Sequence, residues 1–482
     1  MVESSGEAKM RLRLLVDEEK NKVVWAEAEK DFAEVLFSFL VLPVGTIVRL
    51  LEKRIKSGTL VIGCLDNLYR SVSEMGIYYF RTQGCMDRLL FPQNVMEDQC
   101  RRLKINIDDT DNRATKYFVC PNSESVESCC KLYSNIYATS KCSCGRLMNR
   151  EVRSSEEDRV AGSVYVSNHT SFIITDDMTV AVNSPGLFLN SLKRLGYADV
   201  AKLGEMFLDV GHEEVMSLLE CLFTSDTPLT DAFLRKQSSH VITKTYQMPA
   251  PVGLGNGGEA AEPDPAITLN VCVRKQDSKF LYFECGDDFV DLLFTFLGMS
   301  VVSVWKNAGD GIILGCIGNL CRSFKDLSST EWTDASFQPP KLYRYGYTYH
   351  SSYSHSKRYG FTRNCSRRLE NASEKLVPVN PVDDNCKFVK EKTRFFLSDD
   401  MVIKPWFSTS PISLLKELHV RLDDVEMQVI SIRRKEIINL VGASLVTPFA
   451  LSTALRKLLP KKPKEEPYLT PSKRSFSSGD GS

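Results

Sequence analysis

The side chains with the clearest chemical potential in this sequence are five clustered cysteines, Cys120, Cys129, Cys130, Cys142 and Cys144. Four thiolates in a tetrahedron are a common structural site for Zn²⁺. The spacing fits a hairpin that carries Cys142 and Cys144 and closes on a second pair, Cys120 with either Cys129 or Cys130. We therefore predict a small zinc-ribbon-like insert that holds a structural zinc ion.

Other interpretations of the cluster are weaker. The thiols could lie in a loop without metal, because the Cys-x-Cys sequence at residues 142–144 is less specific than Cys-x-x-Cys. A catalytic zinc is disfavoured because four thiolates leave no position open for water. Residues 1–15 contain no apolar stretch of signal-peptide length, which disfavours secretion and, with it, disulfide bonds.

The charge balance and the apolar runs restrict the location and the partners. Lys+Arg and Asp+Glu both total 61, so no overall charge attracts nucleic acid or anionic lipid. The uncharged apolar runs at 35–48 and 292–305 are 14 residues long, whereas a membrane-spanning helix needs about 20. We expect an intracellular protein of the cytoplasm or nucleus, without membrane contact, whose partner is an unknown macromolecule. Nucleic acid would need a local site.

The sequence segments on either side of the cysteine cluster occur twice in the chain. Residues 12–40 align with residues 269–297 without a gap, and ten of the 29 positions are identical. The sequence Gly-Cys-x-x-Asn-Leu-x-Arg-Ser occurs at 63–71 and again at 315–323. Each copy later contains an Asp-Asp-Met sequence, and only the first copy contains the cysteine cluster, in an insert of about residues 117–150.

These matches predict an α+β fold made of two tandem homologous units. Each unit opens with a β-hairpin and a helix, continues with further strands and ends in helices. Asp31 and Asp288 are predicted to cap the opening helices, and residues 198–234 are predicted to be helical. The predicted boundaries are a first unit at 11–247, a linker at 248–266, a second unit at 267–457 and a disordered tail at 458–482.

A second set of candidate site residues comes from the repeated motif and comprises Asn67, Arg70, Asn319 and Arg322. An amide and a guanidinium group near a helix start could bind an anionic group. One hypothesis is therefore that these four side chains line a ligand site in the groove between the units. The alternative is that they cap a helix and fix a loop.

Three further features have both a functional and a structural interpretation. The repeated Cys64 and Cys316 are predicted to be buried thiols rather than nucleophiles, since no histidine recurs beside them. The Asp-Asp pairs at 176–177 and 399–400 could bind a cation or act as acid and base, but a hairpin turn is favoured. The Tyr- and Arg-rich residues 343–361 could bind RNA, although aromatic residues are also common in strands.

Three sequences resemble one plant-specific family, catalogued as domain of unknown function 674. They are the Gly-Cys-x-x-Asn-Leu-x-Arg-Ser motif, the Cys-Ser-Cys-Gly-Arg-Leu-Met-Asn-Arg segment and Thr-Pro-Leu-Thr-Asp at 227–231. The resemblance extends over residues 11–457. It implies a plant intracellular protein and no particular activity, and it implies metal binding for the first copy only.

Without a catalytic motif, the sequence favours a non-enzymatic binding or scaffold protein with a structural zinc knuckle. The first alternative is an enzyme or small-molecule binder that uses the groove between the two units. The second alternative is an RNA-binding protein that uses the Tyr/Arg-rich stretch of the second unit.

Overall fold

The structure is a computed structural model. It describes residues 8–54, 62–92, 94, 96–108, 117–121, 132–133, 141–142, 144–152, 165–166, 171–197, 199–235, 266–308, 315–328, 342–349, 367–378, 387–407 and 409–459. The described residues up to 235 are called the first half, and those from 266 onward the second half. The predicted linker lies almost entirely outside the described residues, as does most of the predicted tail.

The first half contains eight strands and seven α-helices among its described residues and ends in a π-helical turn, Thr230–Arg235. These elements are β1 (Met10–Asp17), β2 (Lys22–Glu29), α1 (Lys30–Val41), α2 (Val44–Glu52), α3 (Leu65–Glu74), α4 (Gln83–Leu90), α5 (Glu97–Cys100), β3 (Tyr117–Val119), β4 (Leu132–Tyr133), β5 (Arg150–Val152), β6 (Ser171–Thr175), β7 (Val180–Val182), α6 (Pro185–Arg194), β8 (Leu203–Val210) and α7 (His212–Thr224).

The second half follows a similar order in its described residues. Its elements are β9 (Ile267–Arg274), β10 (Lys279–Gly286), α8 (Asp287–Thr295), α9 (Val301–Ala308), α10 (Cys316–Leu327), β11 (Leu342–Tyr349), β12 (Arg367–Pro378), β13 (Arg394–Ser398), β14 (Ile403–Pro405), α11 (Thr409–Glu417), β15 (Val425–Ile432), α12 (Arg434–Val446) and α13 (Ala450–Leu455). The protein is thus of mixed α+β structure, as predicted.

Each half is built on a five-stranded sheet, and the two sheets have equivalent strand orders. The first is β7-β6-β2-β1-β8 and the second is β14-β13-β10-β9-β15. The predicted opening hairpins are confirmed, because β1 pairs with β2 and β9 with β10 in antiparallel fashion. The matching topology supports a duplication, which remains an inference from the sequence repeat.

Two local predictions were wrong. Residues 203–210 form the edge strand β8 rather than a helix, because Glu205, Phe207 and Asp209 alternate with less exposed residues and the segment pairs along its length with β1. The predicted N-cap residue Asp31 lies inside the first turn of α1, which begins at Lys30. Its counterpart, Asp288, likewise lies inside α8.

A continuous hydrophobic core runs through both halves. It contains buried residues of both inner sheet faces and of the apolar runs at 35–48 and 292–305. Phe37 of α1 meets Phe324 of α10 across the halves, with ring centroids 5.0 Å apart. In the described residues no helix is both long enough and apolar enough to cross a membrane.

Candidate functional site

Three of the five predicted metal ligands lie together. The Sγ atoms of Cys120, Cys142 and Cys144 are all within 4.8 Å of one another, and those of Cys120 and Cys144 are 3.5 Å apart. Cys120 and Cys142 are buried, whereas Cys144 is exposed. Three sulfurs at these distances can occupy three corners of a zinc tetrahedron with small adjustments.

A tight turn presents two of these thiols on the same side. Cys142 N donates to Arg146 O and Gly145 N donates to Cys142 O, both at 2.8 Å. Gly145 has a φ of 80°, a conformation that glycine adopts without the steric cost of a Cβ. The chain therefore turns back immediately after Cys144, which is the geometry that the Cys-Ser-Cys-Gly sequence predicts.

In the described part of the insert around the thiols, the apolar packing forms one small cluster. Strand β3, which precedes Cys120, pairs with β5 in a two-stranded sheet. Four buried residues form its separate small cluster: Phe118, Cys120, Cys142 and Met148. A bound ion would add cross-links where the core is small. The other two predicted ligands, Cys129 and Cys130, lie outside the described residues.

The amide of the repeated motif binds the Asp-Asp turn of the opposite half. Asn67 Nδ2 donates to Asp400 O at 2.9 Å, and Asn319 Nδ2 donates to Asp177 O at 2.8 Å. The first bond runs from the first half to the second, and the other bond runs back. The two predicted asparagines are thus engaged in reciprocal contacts between the halves.

The arginine three residues later orients each amide. Arg70 Nη1 donates to Asn67 Oδ1 at 3.4 Å, and Arg322 Nη2 donates to Asn319 Oδ1. Because the guanidinium occupies the amide oxygen, the amide nitrogen faces the turn carbonyl. Arg70 also pairs with Glu52, with Nε and Oε1 3.2 Å apart. The structure therefore brings the four residues together as two Asn–Arg pairs, one on α3 and one on α10.

The serine at the end of the motif makes a second contact of the same kind. Ile403 N donates to Ser71 Oγ at 2.9 Å, and Val180 N donates to Ser323 Oγ at the same distance. Each hydroxyl in turn donates to the helix carbonyl four residues earlier. Sequence reasoning missed these serines, although their recurrence in the motif was a signal.

The repeated cysteines are buried, as predicted, and face the opposite half. Cys64 Sγ donates to Thr447 O at 2.8 Å, and Cys316 Sγ donates to Asp226 O at 3.5 Å. Burial raises the pKa of the Cys64 thiol far above its usual range. A thiol that stays protonated is a poor nucleophile, so Cys64 acts as a packed donor.

The first aspartate of each Asp-Asp pair fastens the hairpin to the last helical turns of its own half. Asp176 accepts from Thr230 N at 3.0 Å and from Thr230 Oγ1 at 2.7 Å. Asp399 accepts from Ser452 N at 2.7 Å and from Ser452 Oγ at 2.6 Å. Burial raises the pKa of both carboxyls. The predicted hairpin turns are confirmed, with antiparallel strands on either side.

The methionine after each pair has an uncommon backbone conformation. Met178 and Met401 have φ values of 64° and 63°, and both side chains are fully buried. A left-handed conformation is costly for a residue with a Cβ, so packing of the side chain must hold it in place.

The carboxylate three residues after each predicted cap residue, Glu34 or Asp291, has a tertiary role that sequence reasoning missed. Asp291 Oδ1 accepts from Phe388 N at 2.8 Å and from Val389 N at 3.0 Å. Its counterpart Glu34 accepts from Tyr165 N at 3.3 Å. Burial raises the pKa of Asp291 to about 6. Asp291 thus fixes the segment that precedes β13, and Glu34 fixes the segment that precedes β6.

A groove of about 660 Å³ lies on the outer face of the first sheet. Its walls combine both charge signs and one aromatic ring and include Arg11, Arg13, Glu27, Lys30 and Phe207. None of the four predicted ligand-binding residues lines this groove, so their ligand role stays a prediction. The Tyr/Arg-rich stretch begins in β11, but its side chains lie outside the described residues.

Comparison with known proteins identifies a family and no activity. The model of a protein family of unknown function, DUF674, matches residues 6–435. No curated protein and no solved structure matches the chain.

Proposed function

Because the chain belongs to DUF674, whose description carries no activity, we propose from its own residues that it is a binding or scaffold protein with a structural zinc site in the first half. The observation that carries the proposal is the convergence of three thiols, Cys120, Cys142 and Cys144, within 4.8 Å. The sequence offers Cys129 or Cys130 as the fourth ligand. Such a closed site has no position for water and serves structure rather than catalysis.

The contacts of the repeated polar residues support a structural role for them over a catalytic one. Asn67 and Asn319 bind turns of the opposite half, Cys64 is a buried donor, and Asp176 and Asp399 fasten hairpins. Each has a structural partner that accounts for its recurrence. The enzyme and RNA-binding alternatives remain hypotheses, for which the described side chains offer no specific support.

Metal content tests the proposal. Elemental analysis of the purified, reduced chain should find about one zinc per molecule. The Cys142→Ser/Cys144→Ser variant should contain none, because two thiols cannot hold the ion tightly. Cys221→Ala, which removes a buried thiol outside the cluster, is the matched control and should keep the metal.

Two results would contradict this proposal. The first is a metal content far below one ion per chain in both the parent and the control. The second is zinc that remains at full stoichiometry in the double variant, which would place the ion elsewhere.

A separate binding experiment, which measures retention of a partner and no catalytic activity, tests the scaffold role. The partner of such a protein should be retained by the zinc-loaded parent and by Cys221→Ala at near-physiological salt. It should be lost from the Cys142→Ser/Cys144→Ser variant if the thiol subdomain forms part of the binding surface. Equal retention by all three proteins would separate the metal from the binding surface.

A further inference from the structure

The contacts between the halves follow an approximate twofold relation. Pro43 and Ser300 form an antiparallel bridge, and they are separated by 257 residues, the same offset that aligns 12–40 with 269–297. Each therefore pairs with its own equivalent in the other half. Such self-pairing is the mark of an isologous interface, in which the same patch of two subunits meets itself.

The pairing continues on both sides of this bridge. The segment after α3 pairs with the segment before β13, through Phe80 and Val389, and the segment after α10 pairs with the segment before β6, through Val166 and Ser328. Helix α3 packs against β14, and α10 packs against β7. Each half therefore supplies a helix that covers the sheet of the other.

Helices α3 and α10 carry polar contacts as well as apolar ones, and the serine bonds among them are buried on both sides. The asparagine, serine and cysteine of the Gly-Cys-x-x-Asn-Leu-x-Arg-Ser motif all bond to the opposite half. Their counterparts return the same three kinds of bond. Pairs of directional bonds inside an apolar contact specify one partner and one register, because any other arrangement leaves buried polar groups unsatisfied.

The apolar part of the contact includes large aromatic side chains from both halves. The buried rings of Phe37 and Phe80 in the first half meet Phe324 and Phe294 in the second, with centroids 5.0 Å and 6.2 Å apart. These residues belong to the core that is shared by both halves. Separating the halves would expose this core to water, which resembles the situation of obligate dimers.

We propose that each half is the specific binding partner of the other, and that the repeated motif is the recognition element for the Asp-Asp-Met turn of such a unit. The chain is a pseudosymmetric dimer whose two subunits are joined covalently. The partner that fits the α3 surface is a second unit of the same kind, held by the interface and not by the linker. The proposal does not depend on the zinc site.

The test cuts the full-length chain after it has folded. A protease recognition sequence is placed in the predicted linker, residues 248–266, and the purified protein is cleaved there. We expect both fragments to elute together from a sizing column at the position of the uncut chain of 54.4 kDa, and to separate only in denaturant. Fragments that elute separately without denaturant, or that precipitate on cleavage, would overturn the proposal.

A variant pair tests the recognition element. Asn67→Leu/Asn319→Leu removes one reciprocal pair of bonds, and the cut variant should dissociate on dilution at a concentration at least tenfold higher than the cut parent. Asn270→Leu is the matched control, because Asn270 is exposed on the outer face and bonds only to Glu284 of its own half in the described contacts. Equal dissociation of the double variant and the control would refute the role of the motif.

Discussion

The two halves share a framework, and they differ in the elements added to it and in the outer faces of their sheets. Both present the same asparagine, serine and cysteine contacts to the opposite half. Only the first half carries the thiol subdomain, and the outer faces of the sheets have different chemistry. The difference teaches that the repeated interface contacts restrain the sequence, whereas the added elements and the outer sheet faces can diverge.

The outer face of the first sheet is charged along its edge. Arg13 Nη2 lies 2.8 Å from Glu205 Oε1, and the guanidinium of Arg11 lies 4.9 Å from the ring centroid of Phe207. At the edge strand β15 of the second half the exposed side chains carry no charge: Met427 is 51% and Val429 66% exposed, and the third is Ser431. Charged edges resist pairing with another strand, and apolar edges do not.

The largest expected effect is a difference in stability loss between alanine substitutions at two equivalent glycines. Gly63 and Gly315 both have a φ of 55°, so an alanine strains the backbone at either position. At Gly63 a Cβ would also overlap Ser444 O and lie 2.8 Å from Leu445 C, whereas at Gly315 the nearest atom is 4.0 Å away. Gly63→Ala should lower the unfolding free energy by about 4 kcal/mol and Gly315→Ala by about 2 kcal/mol in urea titrations. Equal losses would show that the close approach to the second half is not rigid.

The next effect concerns the half-buried carboxyl of Asp291 in the second half. Its folded-state pKa, about 6, exceeds its usual value of 3.8. Its contribution to stability is therefore complete below pH 3.8 and is lost as the pH rises through about 6. Asp291→Asn should be more stable than the parent at pH 7 by at most about 3 kcal/mol, because the amide oxygen can still accept both backbone bonds.

Unfolding midpoints at pH 4 and pH 7 measure this difference. The exposed Asp423→Asn should follow the parent at both pH values, because the Asp423 side chain is 87% exposed. An Asp291→Asn variant whose pH dependence equals that of the parent would contradict the burial argument.

A smaller and symmetric effect is expected from the serines. Ser71→Ala and Ser323→Ala each remove the acceptor of a buried backbone N–H in the opposite half. Each should cost about 1–2 kcal/mol in chemical denaturation, and the two costs should be similar because the donor–acceptor distance is 2.9 Å in both. A large inequality would show that the interface is less symmetric than its geometry.

The smallest effect is expected on the outer edge of the second sheet. Val429→Lys should change the unfolding free energy by less than about 1 kcal/mol, because the side chain is mostly exposed. It should also slow self-association, since a charge on an edge strand opposes strand pairing. Light scattering of the variant beside the parent measures this, and faster association of the variant would exclude the edge as its site.

The sequence alone was sufficient for features that depend on neighbouring residues. Alternation in β1 and β2 and the Asp-Asp turns were predicted correctly, because hairpins are specified by local pattern. The hairpin that carries Cys142 and Cys144 was predicted from local spacing as well, and the chain does turn there. The thiols converged because a short two-stranded sheet brings the ends of the insert together.

Features that depend on the opposite half were not predictable from local pattern. Asn67 is of a residue type that often caps helices, and nothing in one copy indicates that the partner turn of Asn67 and Ser71 lies more than 300 residues away. Asp31 is a residue type that is common at N-caps, but the helix begins one residue earlier, at Lys30. Strand β8 was mistaken for a helix because it precedes a true helix and is rich in Leu, Met and Glu.

The buried methionines of the hairpin turns show how a local cost can be tolerated. Glycine at Met178 or Met401 would relieve about 1 kcal/mol of backbone strain. It would also empty a fully buried site the size of a methionine, at a cost of several kcal/mol. Substitution by glycine would thus relieve the backbone but lower the stability of the whole molecule. The buried methionine side chains hold these two turns in place from the core. The shape of the turns should therefore persist even where the flanking strands are short.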